Sequence, residues 1–201
     1  MSGITSFRNV ISRGGARGNQ FRVFLQFPIA LGIVNAANAA RDAQFLCEGA
    51  SLPGQNLGIA MLNYRGRQVK LAGERIFDNW DITVINEENF GLHNAFEQWA
   101  NAINNLNDNS GVLNSLDYMV NLNVQQLDRN DNVLKEYTFR DAWPVSISPI
   151  QLNFGDNDNI ERFTVSFAID SFDSSATIAV NNSATTSTNA VANALVSAFT
   201  R

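Results

Sequence analysis

The chain lacks most of what catalysis or secretion would use. It has one cysteine, Cys47, so no intrachain disulfide is available. Cys47 follows Phe45 and Leu46, the setting of a buried and inert thiol. It has one histidine, His93. That residue falls on the apolar stripe of a helical segment, and no serine or cysteine nucleophile stands in a recognisable turn to use it as a base, so it reads as a packing residue. No apolar run approaches the ~18 residues that span a bilayer, and the N-terminus has no basic-then-apolar leader. The expectation is a soluble chain made in a cytoplasm, with no membrane insertion. Charge is scarce: 16 % of residues are charged against the usual ~25 %. Asparagine fills the gap with 27 of 201 residues. An amide-rich surface stays hydrated without dense like charge, which suits a protein that meets many copies of itself.

The remaining sites of possible chemistry resolve into ordinary structure. Gly14-Gly15-Ala16-Arg17-Gly18 has no strand before it, no helix after it and no Lys-Ser/Thr pair, so it is a hinge and not a phosphate loop. Glu87 and Glu88 are adjacent and point apart, and they suit the start of the next helix, where the dipole favours negative charge. Asp156-Asn157-Asp158-Asn159 has calcium-loop composition without the sixth-position glycine or the terminal glutamate, and reads as a turn. Trp80, Trp99 and Trp143 read as core or interface anchors. No catalytic residue, metal site or cofactor is expected.

What charge there is has been sorted along the chain. Residues 1–41 hold Arg8, Arg13, Arg17, Arg22 and Arg41 and no acid, while the remainder holds nine basic and nineteen acidic residues. A basic arm on an acidic body can bind nucleic acid or the body of a neighbouring subunit. Arginines this widely spaced, without interleaved aromatics, make a weak nucleic-acid signal.

Periodicity supplies the fold. Gln20–Phe27 alternates, with Phe21, Val23, Leu25 and Phe27 on one face. Residues 5–12 suggest a short helix, and Gly32–Ala43 reads as an alanine-rich one. Strand character resumes over Gln44–Ala50 and stops at Leu52-Pro53-Gly54. Gln55–Lys70 reads as a hairpin or extended loop, and Gly73 onward as a turn leading to a strand over Asn79–Asn86 with Trp80, Ile82 and Val84 buried. Phe90, His93, Phe96, Trp99 and Ile103 recur at helical spacing and must pack on a sheet. Leu116–Asp128 alternates again, and a turn at Arg129–Asn132 leads to a partner strand over Val133–Ala142. Trp143-Pro144 is expected to break pairing, with a shorter strand in Val145–Phe154. The last clear strand turns Phe163, Val165, Phe167 and Ile169 inward. Beyond Ser171 the composition falls to Ser, Thr, Asn and Ala, which bury little, with a small apolar helix expected over Asn189–Ala198. The sum is a mainly β chain, an antiparallel sandwich or barrel with one packed α-helix. It divides into a flexible basic arm (1–18), a β domain (19–172) and a low-complexity extension (173–201).

Gly73-Glu74-Arg75-Ile76-Phe77-Asp78-Asn79-Trp80-Asp81-Ile82-Thr83-Val84-Ile85-Asn86-Glu87-Glu88 closely resembles a segment of the tail tube proteins of contractile-tailed bacteriophages. Phe45–Gly54, Phe96–Trp99, Trp143-Pro144 with Leu152-Asn153-Phe154, and Glu161–Asp170 resemble further segments of that family in the same order, so the likeness covers residues 19–172. Two features depart from it: Pro28–Ala43 is longer than the family's tight hairpin, and the tail runs on past Phe172. The resemblance implies a sandwich subunit forming hexameric rings that stack into a hollow tube within a contractile sheath. Its implied partners are other copies of itself, the tail sheath protein, baseplate and tail terminator proteins, the tape-measure protein in the lumen, and viral DNA passing without specific binding. Its implied place is the virion tail, after assembly in the host cytoplasm.

A conduit for a polyanion should not hold phosphates, and the outward side of Leu116–Asp128 offers Asp117, Asn121, Asn123 and Gln125 with no lysine or arginine. These are the candidate lumen-facing residues. In the family a loop near Gln55–Lys70 reaches the adjoining ring, which makes Tyr64, Arg65, Arg67 and Lys70 the candidate inter-ring contacts. Two other readings stay open: the tube of a type VI secretion or phage-like injection system, and a binding or hydrolase β-sandwich of the tail tip.

Overall fold

The computed structural model describes residues 2–12, 14–155 and 157–175. The basic arm opens with α1 (Ser2–Val10), and β1 (Phe21–Phe24) follows. A 3-10 turn leads into α2 (Ala36–Leu46), which runs directly into β2 (Cys47–Ala50). Then come β3 (Asn56–Tyr64), β4 (Arg67–Ile76), β5 (Trp80–Ile85) and α3 (Gly91–Ile103). The chain continues with β6 (Val120–Leu127), β7 (Val133–Ile147), β8 (Arg162–Ala168) and β9 (Ser171–Ser174). One antiparallel sheet has the order β1-β6-β7-β8-β5-β2, with β9 also on β7, and β3 and β4 form a separate ribbon.

β7 is the spine of the larger sheet. Its first part pairs with β6 and β9, and its last part pairs with β8. The change of partner is made at a bulge. Val120 faces Ala142 and Leu122 faces Phe139, so Asn121 alone opposes Arg140 and Asp141. An extra residue on one strand bends it and increases its twist. Asp141 takes the left-handed conformation (φ 54°), and its N–H donates to Asn121 Oδ1 at 3.3 Å. The two wings of the sheet then fold toward each other around one core. Leu122, Val124 and Phe139 come from one wing and Ile82, Val84, Phe163, Val165 and Phe167 from the other. Trp80 joins them, stacked on Phe139 at 4.3 Å, with its Nε1–H donating to Ser51 O at 2.8 Å. The result is sandwich-like and open, not a closed barrel.

α3 covers this core with Leu92, Ala95, Phe96 and Trp99. Phe27 lies against Phe96 (5.4 Å) and Trp99 (5.6 Å), and Trp99 Nε1 donates to Tyr118 O at 2.9 Å. α2 packs beside α3 and β1 through Ala39 and Ala43, so a second helix joins the one expected to pack.

Several expectations need correction. Trp143-Pro144 does not break pairing: the two face Ala168 and Phe167, and a register shift follows Pro144, where its missing N–H does no harm. The strand expected in Val145–Phe154 ends at Ile147 as the tail of β7. Gly73 is not in a turn but inside β4, and Gln44–Leu46 finish α2 and do not begin a strand. Leu116 and Asp117 lie in a 3-10 turn over Ser115–Asp117, because Asn114 Oδ1 accepts the Leu116 N–H and coils the chain before β6. The helix expected over Asn189–Ala198 lies outside the described residues.

Candidate assembly surfaces

The β3–β4 ribbon begins from its turn. Tyr64 and Arg67 flank Arg65 (φ 46°) and Gly66 (φ 80°). Two consecutive positive-φ residues make the two-residue turn whose twist matches that of antiparallel strands. Near its base the strands pass so closely that a Cβ on Gly73 would stand 2.9 Å from the Gly58 carbonyl carbon. Side-chain bonds clamp the root: Asn56 Nδ2 donates to Asp78 Oδ2 at 2.7 Å, and Arg75 donates to Gln55 Oε1 at 3.1 Å.

Both faces of the ribbon are exposed, one largely apolar and the other mixed. Ala60, Leu62, Val69 and Leu71 share one face; Ile59 and Met61 share the other with Lys70. No residue of either strand is buried, and Gly58 and Gly73 alone are half-buried. Leu62 is 56 % and Leu71 50 % exposed. A two-stranded ribbon is marginal alone in water and needs a further strand or a packed face. An apolar surface of this kind marks an interaction site.

The structure gathers Tyr64, Arg65 and Arg67 at the ribbon tip, with the Arg65 guanidinium 5.3 Å from the Tyr64 ring centre. Lys70 pairs with Met61 on the opposite face from Arg67 and does not join them.

The second surface is the outward face of the β1-β6-β7 wing. Asn121, Asn123 and Gln125 share it, and Asp117 does not belong to the strand. Asn121 is committed to the bulge. Asn123 Oδ1 is buried without a hydrogen-bond partner, and Gln125 lies between Arg22 of β1 and Glu136 of β7. The neighbouring strands therefore bring cations that reading β6 alone missed. Arg140 is held by Asp173 at 2.6 Å, while Arg22 and Glu136 are separated by β6.

The lone titratable groups are structural. Burial pushes the Cys47 thiol up to about 12, and its Sγ lies 3.4 Å from Gly49 O. His93 packs edge-on against Phe163 at 4.9 Å. Asn132, through its side chain and then its backbone N–H, holds the Asp128 carboxyl below its ordinary range and shapes the β6–β7 turn. Among the described residues, no three His, Cys, Asp or Glu side chains form a metal-holding group, and no helix is long and apolar enough to cross a membrane.

Residues 16–175 match the family model described as phage tail tube protein. The chain is 32 % identical over 166 residues to the tail tube protein of Serratia phage KSP90, covering 82 % of this chain and 92 % of the relative. It is 28 % identical over 157 residues to tail tube protein gp19 of Enterobacteria phage T4, covering 77 % and 89 %. Among solved structures it resembles a chain of the anti-feeding prophage baseplate (TM-score 0.56, 14 % identity, 80 % and 95 % covered). It also resembles a chain of the sheath–tube complex of an extracellular contractile injection system (TM-score 0.50, 12 % identity, 83 % and 95 % covered). At such identities the likeness to solved structures is one of fold.

Proposed function

This chain belongs to the phage tail tube protein family, a structural tail tube subunit and not an enzyme, and we propose that it polymerises as stacked hexameric rings into the hollow conduit of a contractile tail. The observation that carries this reading is the β3–β4 ribbon. It is covalently part of the subunit, yet none of its residues is buried by the described residues, so another molecule is the natural source of a packing partner. A second copy in an adjoining ring supplies it, with Tyr64, Arg65 and Arg67 at the tip placed to meet acids on a body that carries an excess of them.

The amide face of β6 lines the bore in this reading. Asn121, Asn123 and Gln125 are uncharged, and of the flanking arginines Arg140 is paired with Asp173. A passing phosphate backbone therefore finds no cationic cluster on which to release counterions and stick. The tube domain spans 19–172, with β9 carrying the sheet to Ser174, between the arm (1–18) and the extension (173–201). The sheath encloses the tube, baseplate and terminator proteins close its ends, and the tape-measure protein and then DNA occupy the lumen. The greater identity to phage proteins than to injection-system chains favours a virion over a secretion machine.

Reversing the tip charges tests this. Arg65→Glu with Arg67→Glu should leave the subunit folded by circular dichroism and stop elongation in electron micrographs. Rods of normal length from this variant would refute the inter-ring role.

A further inference from the structure

We propose that the N-terminal arm is an inter-subunit clip, its α1 helix seating in the partly apolar cleft that holds Glu161 beside β8 of a second copy. This rests on the tube reading and adds a contact separate from the ribbon.

The arm has a pinned root and an exposed tip. Gln126 Nε2 donates to Arg17 O at 2.6 Å and to Gln20 O at 2.8 Å, tying that stretch to β6. Before it, Gly14 (φ 78°) and Gly15 have nothing within 4 Å of a notional Cβ. Every described side chain from residue 3 to residue 12 is exposed. Those side chains are patterned all the same. Ile4, Phe7 and Val10 fall within one stripe of the helix and Ile11 follows in the turn, with Phe7 62 % exposed. Anchors at this spacing are how an amphipathic helix lies in a groove. Arg8, Arg13 and Arg17 accompany them without a single acid in residues 1–41.

The complementary surface lies elsewhere on the body. In a cleft of about 510 Å³, Ile150, Leu152, Phe154 and Ile160 share the lining with three side-chain amides and with Glu161 and Arg162. Phe154 is fully exposed, at 107 %. Arg162 is paired with Glu48, while Glu161, whose Oε2 accepts from Asn86 Nδ2 at 2.8 Å, is the acid on the wall. A basic helix with an apolar stripe and a cleft that sets apolar residues beside Glu161 are complementary, and Phe7 and Phe154 are both exposed. The six residues between Val10 and Arg17 and the helix itself give a maximum reach of about 35 Å from Arg17. That exceeds the ~15 Å radius of gyration expected for a domain of this size, so the tip can reach the surface of a neighbour.

Crosslinking decides it. Phe7→Cys and Phe154→Cys are made as separate proteins, mixed, assembled and oxidised; Cys47 is buried and does not compete. Expected are covalent dimers on a non-reducing gel that form only in the mixture and fall several-fold when assembly is carried out at high salt. In parallel, Phe7→Asp and Phe154→Asp should each lower the yield of sedimentable rods several-fold, and the combined variant should be no worse than either, because both remove one contact. Rods without the mixed dimer, additive losses, or an exclusively intrachain bond in a Phe7→Cys/Phe154→Cys double variant would each overturn the clip while leaving the tube reading intact. If the unsubstituted protein forms no rods, the tube reading itself fails and the clip falls with it.

Discussion

Replacing Leu62 and Leu71 by threonine separates a surface made for assembly from one made for folding. The two leucines share a face of the β3–β4 ribbon and retain 56 % and 50 % of their surface in the single subunit. Full burial of a leucine side chain is worth roughly 1.5–3 kcal/mol, so covering the remaining half contributes about 1 kcal/mol each. Threonine keeps the strand preference and discards most of that gain. The pair should cost the assembly about 2 kcal/mol per subunit, a rise of roughly thirty-fold in the concentration at which rods first sediment. The folded subunit should scarcely notice, since surface changes away from packed features stay within about 0.5 kcal/mol. Ultracentrifugation over a concentration series gives the first quantity and urea unfolding of the unassembled subunit gives the second. An unchanged critical concentration, or a drop in subunit stability that accounts for the loss of rods, would show that the ribbon is not completed by another copy.

The other expectations concern the ribbon's close approach, the core and the thiol. Gly73→Ala puts a Cβ 2.9 Å from the Gly58 carbonyl carbon; it should spoil the ribbon and abolish rods while the body melts at its usual temperature, and normal rods would contradict the close approach. Trp80→Ala removes a fully buried side chain that stacks on Phe139 and bonds Ser51 O, so urea unfolding should register a loss of about 3–5 kcal/mol; a loss below about 1 kcal/mol would place Trp80 outside the core. With its thiol raised to about 12, Cys47 should resist iodoacetamide in the native protein at mildly alkaline pH and react once unfolded. Folding favours the neutral thiol, so this contribution is complete below the unfolded value near 8.5 and declines as pH rises toward the folded one, by up to about 1.4 kcal/mol per pH unit. Urea titrations at pH 8 and 10 should reveal that decline, and it should be smaller in Cys47→Ser.

The strands were legible where burial alternates cleanly. Trp80, Ile82 and Val84 in β5 and Phe163, Val165 and Phe167 in β8 turn inward as their period of two requires. What escaped depended on distant partners. Nothing local marks Asp141 as the left-handed residue of a bulge, because its stabilising acceptor is Asn121 on another strand. Gly73 looked like a turn, but its missing side chain serves the approach of Gly58 across the ribbon. α2 passes into β2 without a glycine or proline to announce the change. The α3 stripe was displaced at its start: Phe90 is the exposed N-cap at φ 52°, and Leu92 and Ala95 take the buried positions. Of the assembly surfaces, the Arg65-Gly66 turn was visible in sequence and brought Tyr64 and Arg67 with it. The parity that sends Lys70 to the opposite face required the register, and the arginines flanking the amide face required the strand order.

The most direct measurement is electron microscopy of the purified protein over rising concentration. The account predicts hollow rods of uniform width, built of stacked rings, with the ribbon bridging successive rings and Asn121, Asn123 and Gln125 facing an interior free of clustered positive charge. A subunit that stays solitary at every concentration, or a bore lined with unpaired arginines, would contradict it.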